Sequence, residues 1–303
     1  MALKIKGVIV PLITPFDEYG HLDSSAIQRL VDFLIAAGVH GLMPGGTTGE
    51  GPLLSFAERC TLAEIVVEAA AGRVPVIIHT GAITTQEAIR LTEHAQRIGA
   101  TAASLITPYY FQYSERALFE HFAAIARAVP DLPLYLYNNP PVTGNTISSA
   151  LTSKLVEHFP NIVGLKDSNG SLETLVRCKM LRDGHFNTAI GNDGLILAGL
   201  ARGLDACVSG NANVVPELVV NLYDAAARGD LLTARHLQDV LDAVRLALAD
   251  GLDLSLFKGM LARRGLAVGT VRAPLLPASA SQLEACWETL TRLNLELSPA
   301  SGT

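Results

Sequence analysis

Lys166 is the residue of this sequence whose type and position most directly indicate chemistry. It ends a short apolar run in the segment Gly-Leu-Lys-Asp-Ser at 164–168, and it is the only one of the six lysines inside a predicted barrel strand. An ammonium in such a strand is partly desolvated, which favours the neutral amine that attacks a carbonyl carbon. Lys166 therefore predicts Schiff-base chemistry. A structural lysine paired with Asp167 fits its position equally well.

Two further polar segments favour the chemical interpretation. Tyr137 ends the preceding predicted strand, so its phenol can exchange a proton beside the Lys166 amine. The turn Gly-Gly-Thr-Thr-Gly-Glu at 45–50 has glycines and free N–H groups near a helix start, which suit a small carboxylate. Thr47 of this turn is a candidate for relaying a proton to Tyr137. A buried core tyrosine and a plain tight turn are the alternatives.

The elements that must position these residues alternate along the chain. Short apolar runs, continuous as expected for strands buried on both faces, are separated by amphipathic helical patterns. The eight runs are 7–16, 39–46, 74–80, 102–109, 132–138, 162–167, 186–191 and 204–209. They predict an α/β fold of the (β/α)8 TIM-barrel type, whose active site lies at the C-terminal ends of the strands.

The polar ends of five predicted strands are expected to converge on one mouth. They are residues 44–50, 107–110, 137–140, 164–168 and 191–194. After the eighth unit come three helical patterns, at about 230–250, 254–265 and 280–295, with no strand between them. We therefore expect a (β/α)8 barrel over residues 1–225 and a C-terminal helical region, packed on the barrel, over residues 226–303.

Composition excludes several classes of function. The 303 residues are 49% hydrophobic and 17% charged, with a net charge of −6 and no basic stripe. This balance argues against nucleic acid or an anionic membrane as a partner. No apolar run is long enough to span a membrane, so a cytoplasmic enzyme is expected. His79 has no second ligand at metal spacing and no nucleotide-binding motif is present, so no metal or nucleotide cofactor is expected.

Four motifs carry a resemblance to a known family. They are GGTTGE, TPYY, YN-x-P followed by TG, and GLKD, in this order and each at a predicted strand end. On these motifs the chain resembles the dihydrodipicolinate synthase and N-acetylneuraminate lyase superfamily along nearly its full length. The resemblance implies a class I aldolase or lyase that cleaves, condenses or dehydrates a 2-keto acid through a lysine imine. Pyruvate is then the expected small-molecule partner, no other cofactor is needed, and a homotetramer is expected.

The resemblance also implies roles for individual residues. Lys166 matches the imine lysine, and Tyr137 matches the tyrosine of YN-x-P. Thr47 and Thr48 match the pair that holds the pyruvyl carboxylate, and Thr47 also joins a proton relay through Tyr137. Tyr110 matches the tyrosine that enters the relay of a neighbouring subunit. The further expected substrate-binding residues are Gly46, Ser168, Asp193, Val208 and Ser209.

Two departures from the family pattern concern the substrate. Dihydrodipicolinate synthases usually have an arginine between YN-x-P and TG for the carboxylate of aspartate semialdehyde, whereas this chain has Val142. Losing that contact costs on the order of 2 to 3 kcal/mol, because an apolar side chain cannot clamp a carboxylate. Gly194 replaces an acidic residue expected in sialic-acid lyases.

The expectation is therefore a pyruvate aldolase or dehydratase for another 2-keto acid, such as a 2-keto-3-deoxy sugar acid. One alternative is 4-hydroxy-tetrahydrodipicolinate (dihydrodipicolinate) synthase with a different anchor for the second carboxylate. The alternative from another class is a non-catalytic keto-acid-binding protein, since barrels can keep binding while losing chemistry.

Overall fold

A barrel of eight parallel strands organises the computed structural model, which describes residues 5–251, 253–293 and 295. The strands are β1 (Gly7–Val10), β2 (Gly41–Leu42), β3 (Ile77–His79), β4 (Ala102–Ile106), β5 (Leu134–Asn138), β6 (Ile162–Asp167), β7 (Asn187–Ile190) and β8 (Ala206–Val208). β1 pairs with both β2 and β8, and a bridge from Leu42 to Val76 joins β2 to the segment before β3. The predicted (β/α)8 TIM barrel is confirmed.

The strands are shorter than the apolar runs predicted, and prolines account for much of the difference. The run 7–16 forms a strand only as far as Val10, because Pro11 has no N–H to donate to the ladder. The run 39–46, which contains Pro44, contributes only Gly41–Leu42, and β4 ends two residues before Pro108. Only β6 keeps its predicted bounds.

Helical segments follow the strands and cover the outside of the barrel. They are α1 (Ser24–Ala36), α2 (Phe56–Ala70), α3 (Thr85–Arg97), α4 (Glu115–Ala128), α5 (Pro140–Thr143), α6 (Ser149–His158), α7 (Glu173–Cys178), α8 (Leu181–Gly184), α9 (Ile196–Ala201) and α10 (Pro216–Ala227). Side-chain caps fix several starts: Ser55 and Glu58 form a capping box on α2, and Thr84 caps α3. The apolar faces of these helices share one core with the outer face of the sheet.

The barrel interior is filled by a second apolar cluster, so the barrel is a packed core with no pore. Tyr135 of β5 belongs to this cluster, and its hydroxyl donates to Asn187 Oδ1 at 2.8 Å. Side chains two residues apart on a strand point to the same face. Tyr137 therefore also points inward, one layer nearer the C-terminal mouth, and Lys166 is its register partner on β6.

Three more helices follow α10: α11 (Leu231–Ala247), α12 (Leu254–Arg263) and α13 (Ala280–Arg292). Arg264, at the end of α12, pairs with Glu217 of α10 at 2.7 Å, and Arg272 pairs with Glu58 of α2 at the same distance. These contacts attach the C-terminal helices to the barrel. The boundary between residues 225 and 226 stays a prediction. No helix in the described part of the chain is long and apolar enough to cross a membrane.

Candidate active site

Lys166 and Tyr137 meet at the C-terminal mouth of the barrel. Lys166 is 6% exposed, and its Nζ lies 3.8 Å from the centroid of the Tyr137 ring. The two residues are neighbours because β5 and β6 pair in parallel with Tyr137 opposite Lys166. An amine and a phenol at this separation can share the proton transfers that imine chemistry requires.

The phenol of Tyr137 is surrounded by polar groups from three other segments. Burial by itself raises the pKa of the phenol, but the charge of Lys166 and hydrogen bonding with Thr47, Ser168 and Lys166 outweigh burial and lower it. Asn139 also donates from Nδ2 to the Tyr137 Oη at 2.9 Å. The phenolate is thus easier to form here than in a free tyrosine.

The turn after β2 brings Thr47 to this phenol. Thr47 is exposed, Thr48 is half-buried and Gly46 is buried against the His79 ring. Behind them Glu50 forms a buried ion pair with Lys258 of α12 at 2.7 Å. The predicted carboxylate-binding residues therefore lie on a turn that the Glu50–Lys258 pair anchors to α12 and that exposes Thr47 to solvent.

Ser168 and the start of the loop after β7 close the opposite side of Lys166. The Ser168 hydroxyl donates to the Gly191 carbonyl at 3.3 Å. A Cβ on Gly191 would overlap the Ser168 hydroxyl and lie 3.0 Å from the Lys166 Cε. Glycine is thus required at 191 to leave the lysine its position.

Asp193 follows on a short 3₁₀ turn, Asp193–Leu195. Its Oδ2 accepts from the side chain and the backbone N–H of Asn211, and Ser209 adds a hydrogen bond. Burial raises the pKa of this carboxyl despite those bonds. Its Oδ1 is buried and makes no hydrogen bond with the residues that the structure describes.

Val208 and Ser209 lie deeper than the other predicted site residues. Val208 belongs to the apolar cluster inside the barrel. Ser209 is fully buried; its N–H donates to the Ile9 carbonyl, and its hydroxyl accepts from the N–H of Ala212. Ser209 supports Asp193, whereas Val208 forms part of the floor.

His79, expected as a core histidine, lies beside the site. Its ring packs edge-on against Tyr137 with 6.0 Å between centroids, and Nδ1 is 3.4 Å from a guanidinium nitrogen of Arg59. Burial above all, with Arg59 and Lys166, holds the pKa of His79 well below its usual value. The imidazole therefore stays neutral. Within the described residues no cluster of His, Cys, Asp and Glu could hold a metal ion.

Comparisons with known proteins identify the family of this chain. The model of the dihydrodipicolinate synthetase family matches residues 4–293. This chain belongs to that family. A 4-hydroxy-tetrahydrodipicolinate synthase of Chelativorans sp. (strain BNC1) is 39% identical over 279 residues, covering 92% of this chain and 95% of the relative. The family consists of class I lysine Schiff-base aldolases and lyases, so the predicted enzyme class is confirmed.

Solved structures of the family superpose on nearly the whole chain. Dihydrodipicolinate synthase from Aquifex aeolicus is 34% identical, with a TM-score of 0.91 over 96% of this chain and 99% of the other. YagE, a prophage protein of the dihydrodipicolinic acid synthase family from E. coli K12, was solved in complex with pyruvate. It is 32% identical, with a TM-score of 0.91 and the same coverage.

Tyr110, the family's candidate relay residue, does not enter its own mouth. Its side chain is 85% exposed, its φ is +82°, and its ring contacts Phe111. Asn145 holds this loop in place: its Nδ2 donates to the carbonyls of Pro108 and Phe111, and its Oδ1 accepts from the N–H of Tyr113. Asn145 thus fixes the loop after β4, which presents Tyr110 outward.

The two positions that depart from the family pattern both lie on segments of the mouth. Val142 is on α5, directly after β5, and is exposed. At Gly194 the space for a side chain is occupied, since a Cβ would overlap the guanidinium of Arg245 from α11. Arg245 is itself paired with Asp242 at 3.0 Å and with Asp250 at 3.5 Å. The guanidinium of Arg245 is therefore already paired with carboxylates and is not a free cation for a substrate carboxylate.

Asn139 and Asn145 were not predicted as site residues. Asn139 lies directly after β5 and contacts Tyr137 two residues earlier, whereas Asn145 lies shortly after α5 and contacts the carbonyl of Pro108 in the loop after β4. Their signal in the sequence is weak, because an asparagine beside a proline or a glycine reads as an ordinary turn residue. Only the YN-x-P motif, in which Asn139 is the variable position two residues after Tyr137, hints at a role for Asn139.

Proposed function

We propose that this enzyme forms an imine between Lys166 and the 2-keto group of pyruvate or a pyruvyl substrate, with no other cofactor. Its substrate would be a 2-keto-3-deoxy sugar acid, which it cleaves, forms or dehydrates. The observation that carries the proposal is the buried Lys166 amine 3.8 Å from the Tyr137 ring centroid. Thr47 and Thr48, on the open turn after β2, would hold the pyruvyl carboxylate.

Imine formation uses Lys166 as nucleophile and Tyr137 as acid. The neutral amine adds to the carbonyl carbon, and one amine proton is transferred to the oxygen to give a carbinolamine. Its hydroxyl then leaves as water with the proton of Tyr137, so that a C=N bond replaces the C–O bond. An iminium and a tyrosine phenolate remain. The polar groups that lower the pKa of Tyr137 stabilise that phenolate.

In the carbon–carbon cleavage that follows, Tyr137 accepts a proton instead of donating one. The phenolate takes the proton of the C4 hydroxyl, the C3–C4 bond breaks to release an aldehyde, and its electrons form an enamine with the iminium. Protonation at C3 and hydrolysis return pyruvate and the free amine. In the proposed reaction Asp193 would accept a hydrogen bond from a further hydroxyl of the sugar chain, since its Oδ1 has no hydrogen-bond partner among the described residues.

The charges of the mouth support this substrate class. Aspartate semialdehyde has a carboxylate that needs a cation, but Val142 stands where an arginine is expected. Arg245 does not replace it, because Asp242 and Asp250 already pair with it and Asp193 lies nearby. A neutral, hydroxyl-bearing chain fits these surroundings better than a second anion.

A second candidate is 4-hydroxy-tetrahydrodipicolinate synthase, favoured by the name of the relative at 39% identity. A screen of 2-keto-3-deoxy sugar acids for pyruvate release, run beside condensation of pyruvate with aspartate semialdehyde, separates the two. Release from a sugar acid at the higher kcat/KM supports the first proposal. Higher turnover with aspartate semialdehyde assigns the synthase instead.

Assembly and location belong to the same proposal. The outward presentation of Tyr110 suits a relay shared with a neighbouring subunit, so we propose a homotetramer built as a dimer of dimers. The four cysteines are free thiols, which suits the cytoplasm. Sedimentation of the wild-type enzyme and of Tyr110→Phe, with activity measured on both, tests the shared relay.

Borohydride trapping tests the imine directly. Pyruvate plus borohydride is expected to add the reduced pyruvyl mass to Lys166, and the Lys166→Ala variant is expected to lose both the adduct and turnover. Absence of an adduct in the wild-type enzyme would contradict the proposed imine. Saturable pyruvate binding that survives Lys166→Ala, in an enzyme without turnover, would indicate a keto-acid-binding protein instead.

A further inference from the structure

Asn139 occupies the variable position of YN-x-P and contacts the proposed acid of the reaction. Its Nδ2 lies 2.9 Å from the Tyr137 Oη, and the side chain is buried with 8% of its surface exposed. A carboxamide nitrogen can only donate a hydrogen bond, and a phenol has one proton to donate and lone pairs to accept. The amide N–H of Asn139 therefore occupies one lone pair of the Tyr137 hydroxyl oxygen.

The backbone holds Asn139 in this orientation. The Asn139 carbonyl accepts from the N–H groups of Val142 and Thr143 and from the Thr143 hydroxyl, and the chain continues into the rigid Pro140. On the other side, Asn138 is tied to Asp167 of β6 at 3.1 Å and accepts from the N–H of Ile147. The amide donor is thus fixed before substrate arrives.

We propose that Asn139 is a positioning residue for Tyr137 and that its amide sets the direction and the acidity of the phenol proton. Because the amide fills one lone pair, the phenol proton must point to another acceptor, on the side of Thr47 and Ser168. When Tyr137 gives up its proton as water leaves the carbinolamine, the amide N–H becomes a charge-assisted hydrogen bond to the phenolate. This inference rests on the proposed imine function.

The groups that titrate near the phenol are few among the described residues. Lys166 faces it from β6, and His79 faces it from β3 with Arg59 behind the imidazole. Hydroxyls of Thr47 and Ser168 complete the surroundings. Asn139→Leu changes none of these groups and adds no titratable group, so a difference between its pH profile and that of the wild-type enzyme reports on the phenol.

Two variants test the proposal. Asn139→Leu removes the donor at similar volume, and Asn139→Asp replaces it with an acceptor that repels the phenolate. Both are expected to slow borohydride trapping of pyruvate on Lys166 by about tenfold and to move the alkaline limb of kcat upward by about one pH unit. The KM for the keto acid is expected to change less than kcat.

Asn161→Leu is the matched control. Asn161 is equally buried, at 8% exposure, but its amide donates to the carbonyls of Ala126 and Val129 just before β6 begins, away from the mouth. This variant is expected to lose stability while its trapping rate and pH profile stay those of the wild-type enzyme. A limb shifted equally in the control would assign the effect to stability and overturn the proposal.

The outcomes also separate this inference from the function it rests on. If wild-type enzyme forms the adduct but either folded Asn139 variant traps pyruvate within twofold of its rate and keeps the pH limb, the role of Asn139 is overturned alone. If wild-type enzyme forms no adduct on Lys166, the imine function and the role of Asn139 fall together. Circular dichroism of each variant establishes that it is folded.

Discussion

Val142 is the residue at which the proposed substrate choice can be tested. It is 53% exposed on α5, immediately after the strand that carries Tyr137. Because more than half of its surface is exposed, a longer side chain at this position can extend into solvent. The amine and the phenol below it are the same whichever substrate arrives. Substrate choice at this position is thus separable from the imine chemistry.

Val142→Arg is expected to increase kcat/KM for aspartate semialdehyde by about tenfold to a hundredfold. A charged hydrogen bond to the substrate carboxylate contributes about 1.5 to 3 kcal/mol, and each 1.4 kcal/mol is about a factor of ten. Steady-state kinetics with pyruvate and aspartate semialdehyde measure the change, and Val142→Met controls for bulk. An unchanged ratio would mean that the carboxylate is bound elsewhere.

At this scale the sequence predicts charged and aromatic residues better than amides. Lys166 stood out because it is the only lysine inside a predicted barrel strand, and Tyr137 stood out because it ends the predicted strand before that lysine. Asn139 and Asn145 did not, because their contacts depend on how the loop after β5 folds back. The carbonyls that Asn145 joins come from a loop more than thirty residues earlier, and spacing alone does not reveal such a contact.

The turn after β2 shows how one element is held by another far along the chain. Glu50 ends this turn in the left-handed region, with φ at +55°, and its carboxylate meets Lys258 of α12 in a fully buried pair. The ammonium also donates to the Thr270 carbonyl at 2.8 Å and lies 4.2 Å from the centroid of the Phe16 ring. A C-terminal helix thereby fixes the turn that carries Thr47.

Lys258→Met is expected to lower the free energy of unfolding by about 3 to 5 kcal/mol, because it leaves the Glu50 carboxylate buried without a counter-charge. The KM for pyruvate should rise, since the turn with Thr47 loses its brace. Urea denaturation and steady-state kinetics measure the two effects. Adding Glu50→Gln removes the unpaired charge, so the double variant should be more stable than Lys258→Met alone. A less stable double variant would contradict this account.

Strand and helix identities were predictable from hydrophobic patterns, but strand lengths were not. An apolar run continues through buried loop as readily as through a ladder, which is why residues 11–16 are buried although β1 ends at Val10. Proline marks some of these ends in advance. The Glu50–Lys258 pair joins positions over two hundred residues apart, and neither helical nor strand periodicity indicates it.

The segment between α12 and α13 packs against the N-terminal part of the barrel and so joins the two ends of the molecule. Arg272 carries this contact: its guanidinium donates to the carbonyls of Gly20 and Leu53 and pairs with the carboxylate of Glu58. Its backbone N–H donates to Glu50 at 2.7 Å. The C-terminal region is therefore joined to the barrel through the same turn that the active site uses.

Arg272→Met is expected to lower the free energy of unfolding at pH 7, and the loss should shrink in acid. The hydrogen bond from Arg272, more than any other contact, lowers the pKa of Glu58 from 4.5 to about 2. A carboxyl with a lower pKa in the folded chain stabilises the fold above its unfolded pKa, and that stabilisation is lost as pH falls toward the folded value. A shift of this size corresponds to at most about 3 kcal/mol, and partial solvent exposure reduces it to about 2 kcal/mol.

Urea denaturation at pH 7 and at pH 3.5 measures this dependence. The wild-type enzyme should be more stable than Arg272→Met by a larger margin at pH 7, because at pH 3.5 the folded enzyme has to keep ionised a carboxyl that the unfolded chain holds protonated. Glu58→Gln is the control, since glutamine keeps the capping position on α2 but does not titrate. In that background, Arg272→Met should have the same effect at both pH values, because only the bonds to Gly20 and Leu53 remain to be lost. If the wild-type enzyme and Arg272→Met differed in free energy of unfolding by the same amount at both pH values, the charges of the Arg272–Glu58 pair would not stabilise the fold.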